Sequence, residues 1–195
     1  MRLYMLGSVL ALALGSGLTG LALPAGETGI TPPQVLLIHH AVADQGTDAA
    51  DVRFGDCTTQ RNLSDAGRRE AEQMGARLSE HGYLVSKVLV SPFCRTMQTA
   101  MLMKLRPVEV SAAFQNIRDG GRDAASIARV DAARQIIESW RGPGVLVIVT
   151  HSSILKALTG LAPPERKFIV YSKPALRAGA GTQQAAAQLV ELRTF

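Results

Sequence analysis

Several features that would assign a function directly are missing from these 195 residues. The chain has no P-loop, no dinucleotide-binding fingerprint, no zinc-finger spacing, no internal repeat and no low-complexity tract. Basic residues occur in runs of at most two, so the net charge of +5 does not form the stripe that nucleic-acid binding needs. These absences exclude the classes that such signatures mark. The 47% apolar content leaves an ordinary globular domain.

The first 25 residues have the pattern of a secretory signal peptide. Arg2 gives a short positive segment, residues 3–14 are almost entirely apolar, and small residues suitable for cleavage follow. No cysteine stands directly after the apolar run, so lipid attachment is not indicated. The alternative is an uncleaved anchor, because the apolar character continues beyond residue 20. We expect a signal peptide over 1–25, one domain over 26–195, and a periplasmic or secreted protein.

The chain contains only two cysteines, Cys57 and Cys94. An exported protein works in a compartment that permits disulfides. A bridge between cysteines 37 positions apart would stabilise the fold by about 4 kcal/mol on the chain-entropy model. Two free thiols are equally compatible with the sequence, because spacing alone does not bring two Cβ atoms together.

Two short apolar stretches end in histidine. The stretch 35–38 leads into His39 and His40, and the stretch 145–149 leads into Thr150 and His151. Such apolar runs predict buried strands. Ligands of open α/β sheets bind just outside the carboxyl ends of the strands. The sequence therefore predicts one site built from histidines more than a hundred residues apart.

The remaining chain alternates between predicted helices and strands. Helices are predicted over 65–81 and 152–159, after Ser91, and around 127–140; strands are predicted over 35–38, 85–90, 108–110, 145–149, 168–171 and 187–192. Ser64 and Ser91 are the expected N-caps of the first two helices, with Pro92 in the first position of the second. This alternation predicts an α/β sandwich of three layers, with a mostly parallel central sheet flanked by helices.

Four motifs follow one another in a defined order. They are the strand ending in His39-His40, then Asn62-Leu63-Ser64-x-x-Gly67-Arg68, then Ser91-Pro92-x-x-Arg95-Thr96-x-x-Thr99-Ala100, then the strand ending in Thr150-His151 with Ala157-Leu158-Thr159-Gly160. This order resembles the histidine phosphatase superfamily, also called phosphoglycerate mutase-like. The stretch 56–64 resembles an exported subgroup of it. The resemblance extends from about Val35 to Gly160 and implies a phosphoglycerate mutase-like fold.

The resemblance implies phosphoryl transfer through a phosphohistidine, which water then hydrolyses. His40 matches the nucleophile, His151 the second histidine and Arg95 the phosphate-binding arginine. Arg61 precedes the first capped helix and is expected to be a further clamp. Ser152 opens a helix whose backbone N–H groups suit an anion. The fork of an arginine and such N–H groups are the donors that charged phosphoryl oxygens require.

Two positions depart from the family pattern. The family has arginine immediately before its nucleophile, where this chain has His39. Losing one charged hydrogen bond costs about 1.5–3 kcal/mol, or roughly ten- to a hundred-fold in rate. We keep His39 among the substrate-binding residues, although alternation along a strand directs it away from His40 and makes a packing role the alternative.

The second departure concerns the acid that protonates the leaving group. Asn116 stands where many relatives have glutamate, and it is expected to contact substrate without donating a proton. The nearby carboxylates are Asp119, which we assign as the catalytic acid, and Asp123. Asp44 or Asp48, in the long loop after the first strand, could serve instead.

We therefore expect an exported phosphoric ester hydrolase, with activity reduced by the two departures. Its substrate would be a phosphomonoester or phosphoanhydride, in a small molecule or attached to the cell envelope. No cofactor, metal or nucleic-acid partner is expected, and the membrane would be contacted only through an uncleaved N-terminal signal.

Two other functions stay open. One is a degenerate member of the family that binds a phosphorylated or anionic ligand without turnover, as His39 and Asn116 would allow. The other is a metal site of His39, His40 and His151 with an aspartate. Adjacent histidines in a strand diverge and rarely bind one ion, which disfavours it.

Overall fold

The computed structural model describes residues 35–117 and 121–160, together with the backbone of two late strands at 168–172 and 188–191. The predicted signal peptide at 1–25 lies outside the described residues, as does Asp119, the assigned acid. The division into a signal peptide and one domain over 26–195 therefore stays a prediction.

A six-stranded sheet forms the centre of the described fold. Its strands are β1 (Val35–His39), β2 (Val85–Val90), β3 (Val108–Val110), β4 (Val145–Thr150), β5 (Phe168–Ser172) and β6 (Gln188–Glu191). Their order across the sheet is β3-β2-β4-β1-β5-β6. The first four strands in that order are parallel, and β5 and β6 join β1 as antiparallel strands. The mostly parallel sheet predicted from the sequence is confirmed.

Helices cover both faces of this sheet. They are α1 (Asp65–Glu80), α2 (Cys94–Leu102), α3 (Ala124–Ser139) and α4 (Ser152–Thr159). Alternate residues of β1 enter different cores: Leu36 and Ile38 pack with α1 and α2, while Val35 and Leu37 pack with α3 and α4. All four of these strand residues are fully buried, so β1 lies in the middle of the predicted three layers.

The helix ends follow the sequence signals with one exception. The Ser64 hydroxyl accepts from Gly67 N–H at 3.1 Å and caps α1, and α4 ends at Gly160 with φ +75°. The prediction that Ser91 caps α2 is wrong. That helix begins at Cys94 with Phe93 as an N-cap that makes no side-chain hydrogen bond. None of the described helices has the length and apolar character that a membrane crossing requires.

A long segment over residues 42–62, here called the tethered loop, joins β1 to α1. A bridge between Ala43 and Leu63 closes its base. The disulfide Cys57–Cys94, with Cα atoms 5.6 Å apart, fastens it to the first turn of α2, so of the two alternatives that the sequence left open the structure has the disulfide. Gln60 adds a second attachment, since its Oε1 accepts from Cys94 N–H at 2.9 Å.

Candidate active site

The two strands that lead into the histidines lie side by side, and their carboxyl ends are adjacent as predicted. In the parallel pair of β1 and β4, His39 is in register with Thr150, and His40 N–H donates to the Thr150 carbonyl at 3.0 Å. The next residues along the two chains are therefore neighbours. The His40 and His151 ring centroids are 5.3 Å apart, and the two residues are only 8% and 3% exposed.

Hydrogen bonds fix the tautomer of His40. Its Nδ1 lies 2.8 Å from the Ala41 carbonyl oxygen, which can only accept, so Nδ1 carries the hydrogen. Arg95 Nε–H donates to the other ring nitrogen, Nε2, at 3.2 Å. Both contacts require the lone pair to be on Nε2. This nitrogen is therefore the one that can attack an electrophile.

The same logic fixes the tautomer of His151. Its Nδ1 lies 3.5 Å from Arg95 Nη2, a donor only, so Nδ1 accepts and Nε2 carries the hydrogen. Nε2 donates to the Ser91 hydroxyl oxygen at 2.8 Å. The sequence analysis missed this role of Ser91. The available signal was its place directly after β2, at the same carboxyl edge of the sheet.

Arg95 lies at the centre of the site and is only 2% exposed. Its three guanidinium nitrogens contact three residues: Nε contacts His40, Nη2 contacts His151, and Nη1 contacts Asp48 Oδ1 at 3.0 Å. Phe93 packs its ring 4.3 Å from Arg95 Cζ, a cation–π distance. The predicted phosphate-binding arginine is thus held next to both histidines.

Burial keeps both histidines neutral. Loss of solvent lowers the pKa of His40 from 6.5 to about 3, and the positive charges of His39, Arg95 and Arg61 act in the same direction. The pKa of His151 is well below its ordinary value, again mainly because the ring is buried. A neutral imidazole with a free lone pair on Nε2 is the form that a nucleophile needs at neutral pH.

His39 lies beside His40, so the expectation that it points to the other side of the strand is wrong. The two ring centroids are 4.3 Å apart, with the planes tilted by 37°. Rings on opposite sides of a strand would be much further apart than this. The reason is that β1 ends at His39, and the strict alternation of a strand does not extend to His40.

Arg61 reaches the same site from the tethered loop. Its backbone N–H donates to Asp48 Oδ1 at 2.9 Å, and its Nη1 donates to the Gly46 carbonyl at 2.7 Å. Its Nε is buried and has no hydrogen-bond partner among the described residues. The charge of Arg61 contributes to the lowered pKa values of His40 and His151. One buried guanidinium donor of Arg61 is therefore without a partner in the described part of the chain.

Asn116 is hydrogen-bonded to the first turn of α4, which begins directly after His151. Ser152, directly after His151, is exposed at the first position of α4. The Ser153 hydroxyl donates to Asn116 Oδ1 and accepts from Ile117 N–H at 3.2 Å. With its oxygen occupied in this way, Asn116 can offer only its amide N–H groups to a ligand.

Asp123, one of the alternative acids, has a structural role. Its Oδ1 accepts from Ser126 N–H at 2.9 Å and caps α3, and these bonds to Ser126 lower the pKa of the carboxyl. A carboxylate held ionised at a helix terminus is a poor proton donor. Among the described residues, this leaves Asp44 and Asp48 of the carboxylates considered.

The described residues contain no group of three or more His, Cys, Asp or Glu side chains that could hold a metal ion. The alternative metal site of His39, His40 and His151 has a further difficulty. The lone pairs on His40 Nε2 and His151 Nδ1 both accept from Arg95, so a cation there would face a guanidinium.

Comparison with known families gives an independent assignment. Residues 35–123 match the model of the histidine phosphatase superfamily (branch 1). This part of the chain is histidine phosphatase-like. The match contains the first three of the four motifs, and for this part of the chain the resemblance inferred from the sequence is confirmed. The match ends before β4, so His151 lies outside the matched residues. The fold is what places His151 beside His40.

Solved structures share this fold at low sequence identity. The product of open reading frame Rv3214 from Mycobacterium tuberculosis is 19% identical, with a TM-score of 0.56 and coverage of 80% of this chain and 94% of that one. A protein from Agrobacterium tumefaciens, assigned as the phosphohistidine phosphatase SixA, is 20% identical, with a TM-score of 0.52 and coverage of 73% and 92%.

A third structure has similar values. It is a protein from Escherichia coli str. K-12 substr. MG1655, assigned as an alpha-ribazole-5'-P phosphatase, and it is 16% identical, with a TM-score of 0.51 and coverage of 71% and 90%. No curated protein sequence matches the chain. These likenesses establish the α/β fold of histidine phosphatases for this chain.

Proposed function

We propose that this chain is a phosphatase that hydrolyses a phosphomonoester or phosphoanhydride through a phosphohistidine at His40. The observation that carries the proposal is the state of His40. The ring is buried and neutral, its Nδ1–H is fixed on the Ala41 carbonyl, and its Nε2 lone pair faces a buried arginine. A nucleophile for phosphorus needs this combination of an unprotonated nitrogen and adjacent positive charge.

The chemistry requires two displacements at phosphorus. In the first, the His40 Nε2 lone pair forms the N–P bond while the bond from phosphorus to the leaving oxygen breaks. Nδ1–H stays on the ring, and its hydrogen bond to Ala41 stabilises the positive charge that develops there. In the second, water attacks the phosphohistidine, releases phosphate and restores neutral His40.

Arg95 has to exchange partners when substrate binds. Its Nε and Nη2 now contact the two histidines, and a phosphoryl group bound between His40 and His151 would accept from the same two donors. The exchange replaces neutral imidazole acceptors by charged oxygens, so each hydrogen bond becomes stronger. Arg95 therefore makes stronger hydrogen bonds in the phosphoryl-bound state than in the free protein.

Arg61 would supply the second guanidinium that the family pattern places before the nucleophile. His39 is next to His40 but is a single imidazole without a fork of donors. Arg61 has an unpartnered buried Nε close to the same histidines. We therefore assign both residues to substrate binding, with Arg61 providing the fork of donors that His39 lacks.

For some substrates, turnover depends little on a residue that protonates the leaving group. Asn116 has no acidic proton to transfer, and we retain Asp119 as the acid. A phosphoanhydride or aryl ester has a leaving group stable enough to depart with little protonation. We expect such substrates to be turned over faster than esters of simple alcohols, and Ser152 and Asn116 to contact the phosphoryl group or the leaving group.

We also propose that the protein is exported and works in the periplasm or outside the cell. The signal-like residues 1–25 support this, as does the Cys57–Cys94 disulfide, since such bonds persist mainly in oxidising compartments. Fractionation of cells expressing the full chain tests this proposal. Recovery of a full-length product with free thiols from the cytoplasm would contradict it.

The decisive experiment compares wild type, His40→Ala and His81→Ala in phosphatase assays with chelator present, from about pH 4 to pH 8. The panel contains aryl phosphates, a phosphoanhydride and alkyl phosphates. We expect turnover in the wild type, its loss in His40→Ala, and full retention in His81→Ala, because His81 is exposed at the end of α1. Wild-type rates in His40→Ala would show that turnover does not proceed through a phosphohistidine at His40.

A second candidate function is a binding protein without turnover. The residues that favour it are His39 in the place of an arginine and Asn116 in the place of an acid. It predicts no hydrolysis of any panel member, together with a melting temperature that inorganic phosphate raises in the wild type and not in Arg95→Ala. This result would establish an oxyanion-binding protein with the fold of an enzyme.

A further inference from the structure

Asp48 in the tethered loop is the carboxylate that contacts the central arginine. We propose that Asp48 is a positioning residue, which holds the Arg95 guanidinium so that Nε and Nη2 face His40 and His151. This inference rests on the proposed function, since it concerns how the same site binds a phosphoryl group.

The contacts of Asp48 are made by one oxygen. Oδ1 lies 3.0 Å from Arg95 Nη1 and accepts the backbone N–H of Arg61 at 2.9 Å. The Asp48 side chain is 22% exposed and that of Arg95 is 3% exposed, so the pair is largely removed from water. An ion pair in this setting is screened far less than a surface pair.

The orientation of a guanidinium depends on the hydrogen-bond partners of all its nitrogens. A planar group with five donors can rotate about the end of its side chain unless each edge has a partner. Here two nitrogens contact neutral imidazoles, at 3.2 Å and 3.5 Å, and only Nη1 contacts a charged acceptor. Asp48 is therefore the strongest of the three anchors, and it determines where the other two donors point.

Asp48 is itself held in place by the tethered loop. Asp44 N–H donates to the Asn62 carbonyl at 2.9 Å, which closes the loop on either side of Asp48. The disulfide Cys57–Cys94 joins the loop to the residue that precedes Arg95. The carboxylate and the guanidinium are thus carried by two segments that are covalently linked, and their separation is fixed.

The charge of Asp48 matters as well as its ability to accept. Burial lowers the pKa of Arg95, and the adjacent Asp48 carboxylate opposes that effect. Asparagine at position 48 would keep an oxygen acceptor for Arg95 and Arg61 and would remove the charge. A residue that merely braced the loop would tolerate that change, whereas a positioning role for the charge would not.

The test compares wild type with Asp48→Asn, Asp48→Ala and the matched control Asp51→Asn. Asp51 is exposed on the same loop, so the control makes the same charge change away from Arg95. We expect kcat to fall about ten-fold or more in Asp48→Asn for every leaving group, as the loss of one charge-assisted contact predicts. The inhibition constant of inorganic phosphate should change less than about three-fold, because removing a negative charge offsets the poorer orientation.

A direct readout of Arg95 complements the kinetics. Its Nε–H signal in a proton–nitrogen NMR spectrum can be assigned by its absence in Arg95→Lys. In the wild type and Asp51→Asn this buried, hydrogen-bonded proton should exchange slowly with water. In Asp48→Asn and Asp48→Ala it should shift and exchange faster, while the melting curve shows whether the variant is folded.

Three outcomes would overturn the inference. They are an unchanged kcat and Arg95 signal in Asp48→Asn, a rate loss confined to poor leaving groups, which would make Asp48 the proton donor, and a phosphate inhibition constant that worsens as much as kcat falls. Failure of the proposed function gives a different result, namely a wild type without turnover. The NMR comparison of Arg95 then still decides the role of Asp48.

Discussion

Arg95 Nε donates a hydrogen bond to His40 Nε2 over 3.2 Å, so the proposed nucleophile and the predicted phosphate-binding arginine are in direct contact. In the free protein this contact occupies the lone pair of His40, and the proposed exchange of partners by Arg95 would release that lone pair to a phosphoryl group. It also means that a substitution of either residue alters the surroundings of the other. Several of the expectations below depend on this pair.

Replacement of Arg95 by lysine should reduce kcat/KM by about a hundred-fold or more. Lysine keeps a charge but loses the fork that contacts both histidines, and its ammonium cannot also satisfy Asp48. Steady-state kinetics with an aryl phosphate measure the effect. Arg53→Lys is the control, because Arg53 is an exposed loop arginine paired with Asp56. Equal rates in the two variants would remove Arg95 from the site.

Replacement of His39 by arginine should strengthen the binding of inorganic phosphate about ten-fold. The new guanidinium would start beside His40, where the family pattern has an arginine, and it would add one charge-assisted fork. Calorimetry measures the binding constant. His81→Arg makes the same change at an exposed helix end and should have no effect. Unchanged phosphate binding in His39→Arg would place position 39 outside the phosphate's reach.

The folded protein should lose stability on acidification below about pH 6.5. The pKa of His40 is about 3 in the fold and 6.5 in the unfolded chain, so only the unfolded state takes up a proton between these values. Stability therefore rises with pH in this window, and lowering the pH from 7 to 5 costs about 2 kcal/mol through His40.

Urea unfolding at a series of pH values measures this dependence. His40→Asn removes the titrating ring and should give a smaller loss of unfolding free energy over the same window. The buried His151 remains in both proteins and contributes in the same direction. Parallel curves for wild type and His40→Asn would show that His40 titrates normally in the fold.

Reduction of the Cys57–Cys94 disulfide should lower the free energy of unfolding by up to about 4 kcal/mol, since the cross-link closes a loop of 37 residues. It should also lower activity, because Cys94 immediately precedes Arg95 and the loop carries Asp48. Unfolding and kinetics with and without reductant measure both effects. The double variant Cys57→Ala, Cys94→Ala should behave like the reduced protein and show no response to reductant.

Alanine at position 67 should destabilise the protein by several kcal/mol. A Cβ atom there would lie 1.8 Å from the Val42 carbonyl oxygen, a backbone atom that cannot move independently. The same oxygen accepts Ser64 N–H at 3.1 Å, so the clash would open the base of the tethered loop. Thermal unfolding measures the effect, and Ala66→Ser adds a similar volume at an exposed neighbour. A melting temperature equal to that of this control would contradict the close approach.

Gly67 also shows how far a sequence motif can be explained. The motif placed a glycine three residues after the capping Ser64, and the structure supplies the reason in the approach of Val42. Thr99 of the next motif is similar, since its hydroxyl accepts Ala41 N–H at 3.1 Å and so holds the residue after His40. The motifs predicted which positions matter, and the tertiary contacts explain why.

Ser91 and His39 mark the limits of local reasoning. Cap propensity assigned Ser91 to α2, yet a buried hydrogen bond to His151, sixty positions away, determines its orientation. Strand alternation predicted that His39 points away from His40. The two rings lie side by side because β1 ends at His39 and the alternation does not continue to His40. At Ser91 a local preference of about 1 kcal/mol competes with the satisfaction of a buried polar group, whereas at His39 the regular strand simply ends.

The sequence by itself determined the alternation of elements, the burial of β1 and β4, and the delivery of His40 and His151 to one edge of a mostly parallel sheet. These follow from apolar runs and helix signals, which act over a few neighbouring residues. Tertiary structure alone decided the tautomers of the two histidines, the disulfide, and the Asp48–Arg95 contact. The physical reason is that each of these depends on the separation and direction of groups far apart in the chain, which only the packed fold brings within hydrogen-bonding distance.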